Sequence, residues 1–495
     1  MKKFSLFLKN EIKPHKDAWI VILFVLVFIL LRLPSLVEPY WYGDEGIYQV
    51  IGKALNSGRV LYQDIWDNKP PLIYYIYAIF NGDQFLVRSF SLIVGIFSVI
   101  SFYFLGKEFF KKRSSTYLST FLYVVFFGSP IIEGNIANAE NFMHLPIILS
   151  AIFLLKYRRD SKKKHIFIAG FLLSIAFMTK IVAIFEFTAF FLFLIVLNHS
   201  DFLSKKLKNI LQIKKFTVEM LFVLGFIFLP VLFTFYFISI NAFPDFLSGV
   251  LSENIDYVGV GNNFIFPMGI LVLKVIAVLL LTGTILYKRK SFSKLNLLLF
   301  LWLVFALFST FFSQRPYLHY ILITLLPFSY FVGSILETKN FRILKIIISV
   351  IILILIYLNF GIYNKTFSYY QNYINFIVFN KKVDEYHEFF DANTPRDYEL
   401  AHFIETFTNN NENVFVWSDS GQIYALSETL PPGKYIVAYH ITYYNNAVEY
   451  MVEQISKTQP KYIIKTKDSA EFRNFIPSYI LKYKVANSEI YERQN

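Results

Sequence analysis

The rhythm of its apolar runs restricts this chain more than any other feature. Eleven stretches read as helices in a hydrocarbon layer: Trp19–Leu33, Phe85–Leu105, Thr116–Ser129, Phe142–Leu155, Ile166–Thr179, Ile181–Leu197, Thr217–Ile240, Phe264–Tyr287, Leu295–Phe312, Tyr320–Leu336 and Ile346–Tyr363. A hydrocarbon core of about 30 Å takes roughly 20 residues as a helix, fewer where a segment is tightly packed or re-entrant. The fifth and sixth stretches are nearly continuous and could be mistaken for one long helix, but they read as two spans with Lys180 at the outer hairpin between them. Between the runs the cations gather at Lys2–Lys16, Lys107–Arg113, Lys156–Lys164, Lys205–Lys215, Lys288–Lys294 and Lys339–Lys345. Alternating spans put every cluster on one side. The opposite loops carry isolated cations: Arg59, Lys69, Lys180 and Arg315. Basic loops mark the cytoplasmic side, so the expected protein is a multi-pass component of the cytoplasmic (plasma) membrane. Its N-terminus is expected inside and its C-terminus outside. The first run follows a basic head without a small-residue cleavage site, which predicts a retained signal anchor.

Composition excludes several classes. The chain is 55% hydrophobic and 17% charged, too apolar for an ordinary soluble protein. Its net charge of +13 therefore reads as membrane orientation, and no nucleic-acid partner is expected. Cysteine is absent, which removes disulfides, thiolate nucleophiles and Cys-based metal sites. After Tyr363 the apolar runs stop. Expected strands at Asn413–Trp417, Lys434–Ala438 and Lys461–Lys465 alternate with expected helices at Pro395–Thr408 and Asn445–Lys457. Asn409-Asn410-Asn411 reads as a polar turn. The predicted organisation is an α-helical polytopic membrane domain, 1–363, followed by a small extracytoplasmic α/β domain, 364–495.

The first outer loop, residues 34–81, is long for a membrane protein with otherwise tight connections. Within it Ile47, Val50, Ile51, Ala54 and Leu55 fall at helical spacing, with Gly58 as a C-terminal stop and Asp44 at the expected N-cap. This helix is expected to lie along the outer membrane face. A second short helix is expected from Pro70-Pro71 through Leu72–Phe80. Taken alone, Asp44 is accounted for as a cap worth about 1 kcal/mol, and Glu45 as an acid helped by the helix dipole.

Their company points further. The segment Gly43-Asp44-Glu45-Gly46 through Tyr62-Gln63-Asp64-Ile65-Trp66-Asp67-Asn68-Lys69-Pro70-Pro71-Leu72 resembles the polyprenyl-phosphate-dependent glycosyltransferases of the GT-C class. Within that class it especially resembles the bacterial protein O-mannosyltransferase and aminoarabinose-transferase branch. Glu133-Gly134-Asn135-Ile136-Ala137-Asn138-Ala139-Glu140 falls in the second outer loop, where that family places another acid. Gln314-Arg315-Pro316-Tyr317-Leu318-His319-Tyr320, followed by Pro327, resembles its basic-aromatic segment before a late span.

The resemblance implies sugar transfer from a polyprenyl-phosphate donor to a hydroxyl on an acceptor glycolipid, glycan or protein, with membrane lipid as a further partner. It assigns Asp44 and Glu140 as catalytic acids, Glu133 competing with Glu140. The residue types suit the chemistry. A carboxylate can take the acceptor's proton, and the phosphate leaving group needs cations, for which Lys69 and Arg315 are candidates. Glu45, Lys180, His319 and Tyr320 are the other expected substrate-binding residues. Direct displacement at the anomeric carbon would invert its configuration. No cofactor is required by the sequence. A divalent cation remains open, since Asp44, Glu45, Glu140 and His319 could ligate one.

Other polar residues carry weaker readings. Lys180 either contacts lipid phosphate or snorkels. Glu186 and Lys274 should face the bundle interior and could pair. Arg88 is expected at headgroups, His144 as a hydrogen-bonded packing residue, and Tyr74, Tyr75 and Tyr77 in an interfacial belt. Two rivals stand beside the enzyme: a lipid-linked sugar transporter or flippase, with charges meeting at mid-membrane, and a non-catalytic envelope-glycan assembly component.

Overall fold

A computed structural model of the chain describes residues 16–199, 216–265, 267–337, 341–409, 412–444, 446–467, 469 and 478–494. The basic clusters at Lys2–Lys16 (except Lys16) and Lys205–Lys215, with Lys339 and Asn410-Asn411 of the expected turn, lie outside the described residues. Among those described, nine helical segments are long and apolar enough to cross a membrane. They are Lys16–Leu36, Gln84–Phe109, Ala139–Asp160, Ile181–Asn198, Thr217–Ser239, Gly269–Tyr287, Lys294–Phe311, Leu318–Glu337 and Arg342–Phe360. The helices Arg113–Gly128 and Lys163–Thr179 occupy the two remaining expected positions but have only 16 and 17 residues. At about 1.5 Å per residue they reach roughly 25 Å, at the short end of what a span takes. Among the described residues, nine of the eleven expected positions therefore hold a full-length helix and two a shorter one. Many of these segments turn bare apolar side chains outward. Leu279, Leu280 and Leu281 are all more than half exposed, as expected of a surface that meets lipid rather than water. The expected near-continuous fifth and sixth runs are broken at Lys180. Its backbone is extended, and a 3-10 turn, Ile181–Ala183, precedes the helix Ile184–Asn198.

The chain divides into two compact units. One comprises Met1–Leu33, Phe90–Phe233 and Ile255–Thr366; the other comprises Pro34–Ser89, Thr234–Asn254 and Phe367–Asn495. The first is a helical bundle with an aromatic centre. Phe102 stacks on Tyr123 and Tyr330 at 4.2 and 4.1 Å, and the Tyr330 hydroxyl donates to the Phe102 carbonyl at 2.7 Å. That bond lets a phenol be buried without losing a hydrogen-bond partner. Arg32, buried at the end of the first span, donates to the Gly134 carbonyl, which also accepts from Asn141 Nδ2 at 2.7 Å. A Cβ on Gly134 would lie 2.5 Å from the Phe127 carbonyl oxygen, so only glycine fits this crossing. These contacts fix the short loop that carries Glu133 and Glu140.

The second unit is built around the helix Gly43–Asn56. Its N-cap is Tyr42, so Asp44 sits inside the first turn and not at the expected cap. Gly58, at φ +87°, follows the Ser57 C-cap as predicted. The expected apolar stripe is buried, but so are Gly46, Tyr48, Gln49 and Gly52 on the other faces. Protein therefore encloses this helix, which corrects the expectation that it lies on a lipid surface. The helix Leu72–Ile79 covers one side, and Gln422–Leu426 covers another: Gln422 Nε2 donates to the Tyr42 carbonyl at 2.6 Å and Lys53 Nζ to the Ala425 carbonyl at 2.8 Å. Tyr74 and Tyr77 pack edge-on against Tyr48, inside the unit rather than in an interfacial belt.

The two loop helices touch at a glycine. A Cβ on Gly52 would lie 2.8 Å from the Tyr77 carbonyl carbon, a backbone atom that cannot rotate away. Gly52→Ala should push the helices apart and cost about 1–3 kcal/mol of stability. Thermal unfolding of the purified variant checks this, and an unchanged midpoint would refute the close approach.

A four-stranded sheet closes the second unit, with β1 Val414–Trp417, β2 Tyr462–Lys465, β3 Tyr479–Val485 and β4 Ser488–Arg493 in the order β1-β2-β4-β3. β1 and β2 are parallel; the remaining pairs are antiparallel. The expected helices appear as Thr394–Phe407 and Ala447–Thr458. Lys434–Ala438 is not a strand. Its backbone groups are committed elsewhere: the Lys434 carbonyl accepts from Trp66 N–H at 2.9 Å, and Ala438 N–H donates to the Ser418 carbonyl at 2.8 Å.

Candidate functional site

Most of the residues proposed from sequence fall into two clusters, one in each unit. In the second unit the centre is Lys69. Its Nζ lies 3.8 Å from Asp44 Oδ1 and 3.4 Å from Asp67 Oδ2, and 5.1 Å from the centre of the Tyr48 ring. Asp44 keeps about a quarter of its side chain exposed, whereas Asp67 is buried. The Tyr48 hydroxyl donates to Asp44 at 3.3 Å, and the Tyr74 hydroxyl donates to Asp67 at 2.8 Å. Burial, with Asp67 beside it, holds the Tyr74 phenol well above its usual range, so it stays a donor. The chain turns tightly here. The Tyr62 hydroxyl donates to the Lys69 carbonyl at 2.7 Å, and Lys69 N–H donates to the Tyr74 hydroxyl at 3.0 Å. His440 approaches Asp67 from the C-terminal region, Nε2 to Oδ1 3.9 Å. An accessible carboxylate and a lysine are thus held within one side-chain length.

Glu45 takes a different direction. Successive helix residues point about 100° apart, so i and i+1 do not share a face. Arg88 Nε and Nη2 meet the Glu45 oxygens at 3.1 and 2.5 Å, and Nη1 meets Glu38 Oε2 at 3.0 Å. Glu38 also accepts from the Tyr369 hydroxyl at 2.5 Å and from Trp41 Nε1 at 2.8 Å. All three charged side chains are buried. Arg88 is therefore an internal counter-ion, which corrects its expected place at headgroups, and Glu45 is structurally engaged.

In the first unit the centre is Glu140, in the first turn of Ala139–Asp160. Lys180 Nζ bonds its Oε1 and lies 4.3 Å above the centre of the Tyr320 ring. His319 bridges the two acids left as alternatives: Nδ1 is 2.8 Å from Glu133 Oε2, and Nε2 is 3.9 Å from Glu140 Oε1. Glu133 reaches this position from a left-handed backbone, φ +58°. Lys180 thus pairs with Glu140, a partner the sequence did not indicate. Arg315 is half-buried, its Nε 3.7 Å from the Cβ position of Gly261.

Deeper in this unit Lys274 donates to Asn262 Oδ1 at 2.8 Å and to the Phe311 carbonyl at 2.5 Å, so the suggested pairing with Glu186 is not formed. Both Glu186 oxygens lack a hydrogen-bond partner among the described residues. His144 bonds the Tyr123 hydroxyl at 3.0 Å and stacks on Phe127, a packing role as expected. No group of three His, Asp or Glu residues among those described is arranged to hold a metal ion.

Sequence reasoning missed Asp67, Tyr74, Glu38 and His440. Asp67, two residues before Lys69, was within reach of a closer reading. His440 carried no signal, since only the fold brings it to the loop.

Residues 68–233 match the model of a family described as dolichyl-phosphate-mannose-protein mannosyltransferase. Among solved structures, ArnT from Cupriavidus metallidurans bound to undecaprenyl phosphate is similar at 13% identity and a TM-score of 0.56, over 96% of this chain and 98% of that one. The archaeal oligosaccharyltransferase AglB from Archaeoglobus fulgidus, in complex with an inhibitory peptide and a dolichol-phosphate, aligns at 15% identity and a TM-score of 0.46, over 92% of this chain and 70% of that one. No curated protein sequence matches. The fold is that of the ArnT structure, and about a third of the chain matches the mannosyltransferase family model, so the chain is similar to GT-C glycosyltransferases. Its architecture is ArnT-like over nearly its whole length.

Proposed function

We propose that the chain is an inverting glycosyltransferase that moves a sugar from a polyprenyl phosphate to an acceptor hydroxyl at the outer face of the cytoplasmic membrane. The observation that carries this reading is Lys69 held between Asp44 and Asp67, with Asp44 the more accessible acid. Asp44 takes the proton of the acceptor hydroxyl as its oxygen attacks the anomeric carbon. The bond from that carbon to the phosphate oxygen breaks, and the electron pair leaves with the polyprenyl phosphate. Lys69 turns from its carboxylates to the phosphate and offsets the charge that develops there. Glu140 acts as a supporting acid whose charge Lys180 balances. Arg315, His319 and Tyr320 are assigned to substrate binding on the resemblance of their segment, and a divalent cation is left to experiment.

Lys69→Ala should raise the KM for a polyprenyl-phosphate sugar at least about tenfold, the loss of one charge-assisted contact. Initial rates against donor concentration check this. An unchanged donor dependence would assign the phosphate to another cation.

A further inference from the structure

His440 has no part in the chemistry above, yet the fold carries it to the loop beside Lys69. It lies in the short helix Ala438–Tyr443, more than 350 residues along the chain from Asp67, and only 4% of it is exposed. Its ring stands perpendicular to Trp66 at 5.1 Å and packs against Tyr439 at 4.5 Å and Tyr444 at 6.2 Å. The loop is tied to the same C-terminal stretch by Trp66 N–H donating to the Lys434 carbonyl. Burial pushes the imidazole down to about 4, against the upward pull of Asp67 and Asp44, so the ring is neutral near pH 7. Nδ1 has no hydrogen-bond partner among the described residues. A neutral ring with its proton on Nε2 therefore aims its one N–H at Asp67, at 3.9 Å still short of a hydrogen bond.

Asp67 is a buried carboxylate that shares Lys69 with Asp44. If Lys69 turns to a phosphate, Asp67 loses its cation and keeps only the Tyr74 hydroxyl among these contacts. A buried carboxylate left so costs several kcal/mol unless another donor closes in. We infer that His440 is a positioning residue: it takes over Asp67 as Lys69 leaves, and so sets how readily Lys69 is released to a phosphate. This rests on the reading of Lys69 as the phosphate partner and gives the C-terminal residues a part in donor binding.

The test is binding of undecaprenyl phosphate to the full chain in nanodiscs. His440→Phe keeps the packing on Trp66 but removes the donor; His440→Gln keeps a donor. The Phe variant should bind about tenfold more weakly and the Gln variant within about twofold of the unaltered chain, the scale of one hydrogen bond to a charged group. Asp67→Asn, which weakens the hold on Lys69, should bind at least as tightly as the unaltered chain. Equal binding by His440→Phe, a Gln variant as weak as the Phe variant, or weakened binding by Asp67→Asn would each overturn the inference while leaving the proposed function intact. An unaltered chain that binds no undecaprenyl phosphate would overturn both.

Discussion

Asp44→Asn should lower the transfer rate at saturating donor by about a thousandfold, the middle of the range for losing a general base. The substitution is isosteric and spares the helix Gly43–Asn56, because Asp44 is not its cap. Its ion pair with Lys69, 3.8 Å long and partly exposed, contributes less than about 1 kcal/mol. Its favourable position on the helix dipole adds no more than a similar amount. The variant should therefore insert, purify and unfold much like the unaltered chain. An amide oxygen still accepts the Tyr48 hydroxyl bond, but it cannot take a proton at neutral pH. Donor binding should hold or tighten, since Lys69 then has one competitor fewer. The measurement is single-turnover transfer together with a donor-binding isotherm. Activity within tenfold of the unaltered chain would take Asp44 out of the proton transfer and send the search for a base to Glu140.

Much of this protein is legible in its sequence because a hydrocarbon layer enforces long apolar helices. The nine full spans among the described residues all fall on expected runs, and the break between the fifth and sixth runs coincides with the cation Lys180 that separates them. The loop helices were readable from Gly58, the i, i+3, i+4 spacing and Pro70-Pro71. The destination of each side chain was less legible. Asp44 and Glu45 read as one acid pair, yet the 100° step of a helix sends one to Lys69 and the other to Arg88. Tyr74 and Tyr77 look like interfacial aromatics because composition does not reveal that Tyr48 awaits them. Lys434–Ala438 has strand-like residues, but Trp66 and Ser418 claim its backbone. These three misses involve partners distant in sequence, whereas Asp67 meets Lys69 only two residues on. Periodicity reports what one element prefers and cannot report what meets it.

The same argument yields the largest stability effect expected in the molecule, at Arg88. Its guanidinium meets two carboxylates, Glu38 and Glu45, and donates to the Ser35 carbonyl at 2.6 Å. Such a set is costly to bury, and its attraction only roughly offsets the desolvation of three charges. Its parts are not equivalent. Glu45→Gln leaves Arg88 paired with Glu38, and the lost charge-assisted bonds should cost about 1.5–3 kcal/mol. Arg88→Met leaves two buried carboxylates with no cation between them, and should cost about 3–5 kcal/mol. Thermal unfolding in detergent should therefore rank unaltered chain, Glu45→Gln and Arg88→Met in falling order. Combining Arg88→Met with Glu38→Gln and Glu45→Gln removes all three charges and should recover much of the loss. Among molecules that remain folded, Glu45→Gln should keep an unchanged donor KM, because its carboxylate faces Arg88 and not Lys69. A raised KM with normal stability would return Glu45 to the substrate and make Arg88 its holder rather than its counter-ion.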